Sequence, residues 1–264
     1  MQIEKCFIKY NYSLGGIIRM KVSDSFNKDK FKAILVDSGR VLNVPVSGHW
    51  FITPNFFSYV NKKKFNSLKA SHKELAFSKG VEYINKQTVI LDEAEEYRYF
   101  TEFYRIFSSY LPDLQLMDKD IQALAKDLVY NYNKYGFFKD VFTLIPELSK
   151  SYKLAVVSDA WPSLENVFKE ANLREYFSSF IISSVKGVTK PNELMYRTAL
   201  DELGVTPEES IFVDDSIKNC DGAIKLGLTS FVLCRDWKLY AYNNFKNRNY
   251  NIIKNLNDLN KLLA

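Results

Sequence analysis

Four places in this 264-residue chain carry side chains suited to chemistry on phosphorus: Asp37, Ser158, Lys190 and the adjacent pair Asp214-Asp215. A carboxylate at the end of a strand can attack a phosphoryl group and form an aspartyl-phosphate, splitting one hard displacement into two easier ones. Asp37 is the candidate nucleophile. The charge that develops on the transferring group has to be neutralised, and an ammonium together with a magnesium ion does this. Lys190 is the candidate ammonium. Mg²⁺ takes oxygen ligands, so Asp37, Asp215 and the carbonyl of Gly39 form a candidate cage, with Asp214 acting directly or through water. Ser158 offers a hydroxyl, and the backbone N–H groups of the turn that follows, from Asp159 on, can cradle a phosphate. Lys190 precedes Pro191, a residue common at the first position of a helix, and this would bring the ammonium beside a helix N-terminus that also favours an anion.

Taken singly, each of these residues reads as a turn or helix cap. The adjacent carboxylates of Asp214 and Asp215 are harder to dismiss, because like charges packed together are unfavourable unless a cation or proton relieves them. Their setting strengthens the case. Apolar runs at 32–36, 154–157, 180–182, 211–213 and 230–233 read as buried strands, and helical periodicity covers 163–171, 192–203 and 218–226. This alternation predicts a parallel sheet whose ligands bind at the carboxyl ends of its strands. Between about 55 and 138 the pattern is helical throughout: Ala94, Tyr97, Phe100, Tyr104, Phe107 and Leu111 outline one helix closed by Pro112. Ile121, Leu124, Leu128 and Tyr132 outline another that is expected to stop at Gly136, with no strand signal in the segment.

The segments Ile-Leu-Val-Asp-Ser-Gly-Arg-Val-Leu (34–42), Val-Val-Ser-Asp (156–159), Gly-Val-Thr-Lys-Pro (187–191) and Phe-Val-Asp-Asp-Ser (212–216) stand in this order. Together they resemble the four motifs of the haloacid dehalogenase-like hydrolase superfamily. The resemblance implies an α/β fold: a Rossmann-like parallel sheet core with helices on both faces plus an inserted all-helical cap domain. The expected division is an N-terminal extension at 1–30, the core at 31–42 and 141–264, and the cap at 43–140. It implies a Mg²⁺-dependent hydrolase of a small phosphomonoester, with a sugar phosphate as one candidate. Phosphatases of the superfamily usually carry a second aspartate two residues after the nucleophile, where it protonates the leaving group. That position is Gly39 here, so either slow turnover or a substrate with a good leaving group is implied. Arg40 is a candidate for binding a substrate anion. His49, on the way into the cap with Trp50 and Phe51, is a candidate substrate contact and replacement acid.

Composition narrows the classes further. Hydrophobic residues at 47% and charged residues at 25% describe an ordinary globular chain. The net charge of +5 is scattered, with Lys62 to Lys64 the one dense run, and aromatic residues do not interleave with basic ones, so no nucleic acid partner is expected. No apolar stretch suggests a membrane span. Cys6, Cys220 and Cys234 form no CxxC pair, which argues against a zinc site or disulfide framework and for a reducing, cytoplasmic setting. Two rival functions remain. A 2-haloacid dehalogenase would use the same aspartate on carbon but would leave the acidic pair idle, and a silent ligand-binding member would explain Gly39.

Overall fold

The computed structural model describes residues 27–264, so most of the segment assigned to an N-terminal extension lies outside the described residues. The strands are β1 (Ala33–Val36), β2 (Asn43–Pro45), β3 (Tyr135–Phe137), β4 (Lys153–Ser158), β5 (Ser179–Ile182), β6 (Ser210–Asp214), β7 (Thr229–Leu233) and β8 (Asn251–Ile253). Between β2 and β3 lie α1 (Phe56–Tyr59), α2 (Lys62–Ser67), α3 (Ala70–Ile84), α4 (Glu93–Ser109) and α5 (Asp118–Tyr130). After β3 come α6 (Lys139–Leu148), α7 (Ser163–Glu170), α8 (Ser183–Lys186), α9 (Glu193–Leu203), α10 (Ile217–Lys225), α11 (Trp237–Lys246) and α12 (Leu256–Leu263).

Six strands form one parallel sheet in the order β5-β4-β1-β6-β7-β8. The chain leaves β1 to build β4 and β5 on one side, then returns to build β6, β7 and β8 on the other. The carboxyl end of β1 is therefore the point where strand order reverses, the place where open α/β sheets leave a crevice. Side chains of β1 alternate between two cores. Ile34 and Val36 pack with Val141, Leu164, Phe168 and Leu259 on one face, while Ala33 and Leu35 pack with Met195, Tyr196, Leu200 and Ala223 on the other. Burial on both faces explains why each strand reads as a continuous apolar run.

The helices between β2 and β3 have a core of their own, built from Phe56, Phe65, Phe77, Phe100, Phe103, Tyr104 and Phe107. This absorbs much of the chain's high aromatic content, each fully buried phenylalanine contributing about 1.5–3 kcal/mol. Helices α3 and α4 approach closely at Gly80, where a Cβ would come within 2.6 Å of the Phe103 ring. The 43–140 segment is not all-helical, however, because β2 and β3 pair as a short antiparallel ribbon at its two ends. Three-residue strands carry too little alternation to be read from sequence. The last helix of the segment also stops earlier than expected, at Tyr130. Asn131 leaves the helical conformation, and the Lys134 ammonium turns back to the carbonyls of Leu128 and Val129 at the helix C-terminus, where a cation is favoured.

The same ammonium belongs to a buried seam between these helices and the sheet domain. Lys134 Nζ donates to Ser163 Oγ at 2.6 Å, and that hydroxyl donates to Glu96 Oε1 at 2.6 Å. Glu96 Oε2 accepts the N–H of Ser163 at 2.7 Å, so a carboxylate from α4 caps the first residue of α7. Burial pushes the Glu96 carboxyl up, opposed by Lys134 and Ser163, and pushes the Lys134 ammonium down to about 8, opposed by Glu96. Removing one member strands the other: Glu96→Gln or Lys134→Met alone should cost about 3–5 kcal/mol in denaturant unfolding, and the double variant much less than the sum. Lys134 binds fewer protons folded than unfolded between about 8 and 10.5, so its contribution makes stability rise with pH through that window. The rise should be smaller in the double variant, as unfolding curves at pH 8 and 10 would register.

Candidate active site

Strand ends position the charged groups. Asp37 follows β1 directly, with its N–H bonded to the Val213 carbonyl of β6 at 2.9 Å. Ser158 closes β4, Asp214 closes β6, and Lys190 lies in the loop ahead of α9. The Lys190 ammonium is buried at the centre of the cluster. It donates to Asp37 Oδ1 at 2.6 Å, Asp214 Oδ2 at 2.7 Å and the Val157 carbonyl at 2.9 Å. An ammonium has three donors, and all three are engaged. Burial opposes its charge, but the carboxylates of Asp214, Asp37 and Asp159 overcome this and hold its pKa above the usual lysine value.

The two adjacent aspartates differ in role. Asp214 is completely buried and its oxygens accept from Lys190, the Ser216 N–H (2.8 Å) and the Asn219 amide (3.1 and 3.2 Å). With every face of its carboxylate occupied, Asp214 holds Lys190 and does not border the cavity. Asp215 does border it, beside the exposed Arg40 guanidinium at 3.7 Å. Burial and Asp214 push the Asp215 carboxyl up to about 6, eased by Arg40 and Lys190. The Asp37 carboxyl is pushed up to about 7 by burial, then by Asp214 and Asp215, with Lys190 opposing.

Burial is the first cause of both raised carboxyl values, and the crowding of three carboxylates around one buried ammonium adds to it. Oxygens of Asp37, Asp214 and Asp215 lie within 4.8 Å of one another. Among the described residues Asp37 Oδ2 receives no protein donor, and no backbone N–H reaches the Gly39 carbonyl. Asp37, Asp215 and the Gly39 carbonyl, all at the cavity, are the oxygen donors a hard divalent cation takes, and its charge would offset the carboxylate excess. The donor set fits Mg²⁺.

Of the remaining expected residues, Ser158 and Asp159 border the cavity. Asp159 Oδ1 accepts the Lys190 N–H at 2.9 Å, tying the turn after β4 to the Lys190 loop. Pro191 is not the first residue of a helix; α9 begins at Glu193 with Asn192 as its cap, and the Lys190–Pro191 peptide is cis. His49 lies away from the cavity. Its ring packs on Phe77 at 4.5 Å and its Nδ1 accepts the Phe51 N–H at 3.2 Å, while burial lowers its pKa. It packs against aromatic rings and does not line the cavity. Cys220 is wholly buried with its thiol pKa raised by burial, which leaves no nucleophile there.

Gly39 has no positive φ, so its backbone would accept a side chain. Space is the obstacle, since a Cβ there would meet Cη2 of Trp50 at 3.2 Å. The indole packs against the face of Gly39 from which a side chain would project, and would have to give by a few tenths of an ångström to admit one. The cavity encloses about 330 Å³ and its other walls include Asn43, Tyr135, Trp161 and Asn219. Sequence reading singled out none of these four as a site residue. Asn219 sits in the first turn of the helix that follows Asp214-Asp215, a polar position that could have been noticed; Tyr135 and Trp161 reach the site only through tertiary packing.

Residues 92–233, which include Ser158, Lys190 and both adjacent aspartates but not Asp37, match a family described as haloacid dehalogenase-like hydrolase. A glyceraldehyde 3-phosphate phosphatase of Methanopyrus kandleri is 29% identical over 158 residues, 53% of this chain and 66% of that protein. An (S)-2-haloacid dehalogenase of Xanthobacter autotrophicus is 28% identical over 109 residues, 41% of this chain and 43% of that protein. Both matches span less than two thirds of the relative. A HAD phosphatase structure from Thermococcus onnurineus superposes with a TM-score of 0.60 at 20% identity, covering 89% of this chain and 98% of that one, a likeness of fold. Since the family match takes in more than half of the 264 residues, the chain belongs to the haloacid dehalogenase-like hydrolases.

Proposed function

We propose that this hydrolase is a Mg²⁺-dependent phosphatase that cleaves a small phosphomonoester through an aspartyl-phosphate on Asp37. The observation that carries the reading is the excess of carboxylate over ammonium at the carboxyl end of β1. Displacement of halide from carbon has no use for that excess, whereas phosphoryl transfer uses a divalent cation to take up charge on the transferring oxygens. Asp37, Asp215 and the Gly39 carbonyl would hold the ion.

Lys190 opposes the upward shift of the Asp37 carboxyl and aims it through their hydrogen bond, and its positive charge would lie beside the transferring group. An oxygen of Asp37 forms a bond to phosphorus as the bond to the leaving oxygen breaks. Water then hydrolyses the acyl phosphate, releasing inorganic phosphate and restoring the carboxylate. Ser158 and the turn at Asp159 form the phosphate end of the cavity, with Arg40 at its rim. Two buried free cysteines, Cys220 and Cys234, suit a reducing cytoplasmic setting. No helix of the described residues is long and apolar enough to cross a membrane.

Hydrolysis of acetyl phosphate should require added Mg²⁺ and stop with excess chelator, and Asp37→Asn should abolish it. Unchanged rates in chelator would return the dehalogenase reading to contention. Lys190→Met should lower kcat by at least about 100-fold. It should also lower Tm, because Asp37 and Asp214 lose their shared ammonium, with partial recovery in Mg²⁺. Gly39→Asp alone should bring no gain on alkyl phosphates, for lack of room. Paired with Trp50→Ala it should raise alkyl phosphate turnover by about tenfold or more over Trp50→Ala. Equal rates for those two variants would show that the missing acid is not limiting.

A further inference from the structure

The cavity beyond the phosphate end is lined by aromatic residues. Trp50 lies over Gly39 and meets Tyr135 edge to face, with ring centroids 5.2 Å apart. Phe51 and Trp161 lie 6.2 Å apart, and Trp161 is held edge-on by Phe100 at 4.9 Å. The Phe51 carbonyl accepts the buried hydroxyl of Tyr104 at 2.8 Å, and its ring packs on Phe103 at 4.7 Å. The walls are therefore anchored in the core of the inserted helices and present flat faces without rearrangement.

Polar groups of the outer walls are carried mainly by the aromatic side chains themselves, as the Tyr135 hydroxyl and the indole N–H groups of Trp50 and Trp161, while the charged and amide groups nearby are already engaged. Lys190 has no spare donor, Asp159 accepts from the Lys190 backbone, Asn219 is bonded to Asp214, and the Ser163 hydroxyl lies between Lys134 and Glu96. Asn43 donates to Ser38 Oγ and leaves one buried acceptor, Oδ1, unpaired. A second anion would find only Arg40, 68% exposed at the rim.

On the phosphatase reading above, we infer that the substrate is an aryl phosphate, a phosphomonoester whose leaving group is a single aromatic ring without further charge. Two independent features converge on this class. The walls suit one ring, and the volume of about 330 Å³ is at the small end of ligand cavities. The chemistry agrees, because Gly39 can donate no proton and the Trp50 indole packs against it. When Asp37 bonds to phosphorus, the P–O bond to the ring breaks and the electron pair leaves on a phenolate. A phenol ionises near about 10, far below an aliphatic hydroxyl, so the phenolate departs unprotonated and takes its proton from solvent.

The test measures kcat/KM of the full chain with Mg²⁺ on phenyl phosphate, glucose 6-phosphate and phosphoserine, with acetyl phosphate as a small reference needing neither ring nor acid. Phenyl phosphate should exceed both alkyl esters by at least about 100-fold. Across ring-substituted phenyl phosphates, kcat/KM should rise steeply as the phenol becomes more acidic. In Trp161→Ala the ratio of phenyl to acetyl phosphate turnover should fall by about tenfold, from lost ring contact. Hydrolysis of acetyl phosphate without preference for phenyl over glucose phosphate would overturn the substrate class and leave the phosphatase reading standing. Failure to hydrolyse any of the four, acetyl phosphate included, would overturn both.

Discussion

A single buried ammonium organises this protein. Lys190 Nζ joins Asp37 at the end of β1, Asp214 at the end of β6 and the Val157 carbonyl of β4, three adjacent strands of the sheet. Removing an ammonium from water is costly, and only close, well-directed partners repay it. The arrangement therefore fixes where the strand ends can lie and which oxygen of Asp37 is turned away from Lys190. It also leaves a remainder. One ammonium does not balance three carboxylates, and the raised pKa values of Asp37 and Asp215 reflect burial first and that imbalance second. A cation bound there would relieve this charge, as the proposed phosphatase chemistry requires.

A second set of constraints comes from the inserted helices. Their aromatic core fixes Phe51 and Trp161, and Glu96 reaches across the seam to cap the helix that begins at Ser163, four residues after Asp159. Packing far from the strand ends thereby sets the shape of the cavity. Trp50 takes the space next to Gly39, so one residue both closes the roof and excludes the side chain that would assist a poor leaving group. On the proposed function, selectivity for the leaving group and the lack of an acid at Gly39 would be two results of the same packing.

Much of this was legible in the sequence because the relevant signals are local. Buried parallel strands are apolar runs, and Asp37, Ser158 and Asp214-Asp215 follow such runs, so their placement at one edge of the sheet could be anticipated. The division of labour between Asp214 and Asp215 could not, since it depends on which side of the chain faces Lys190 at the last residue of β6. The ribbon of β2 and β3 was too short to show periodicity. His49 looked available because nothing nearby in sequence revealed Phe77 against its ring. The Glu96–Ser163–Lys134 seam joins residues far apart in sequence, and each alone is an ordinary surface residue type.

The central claim is that Asp37 and Asp215, unbalanced by Lys190, take a divalent cation. Calorimetric titration of the full chain with Mg²⁺ tests it most directly, comparing wild type with Asp215→Asn. The account predicts saturable one-to-one binding in the wild type, weakened by at least about tenfold when that carboxylate becomes an amide. No binding, or equal affinity in the two proteins, would contradict it.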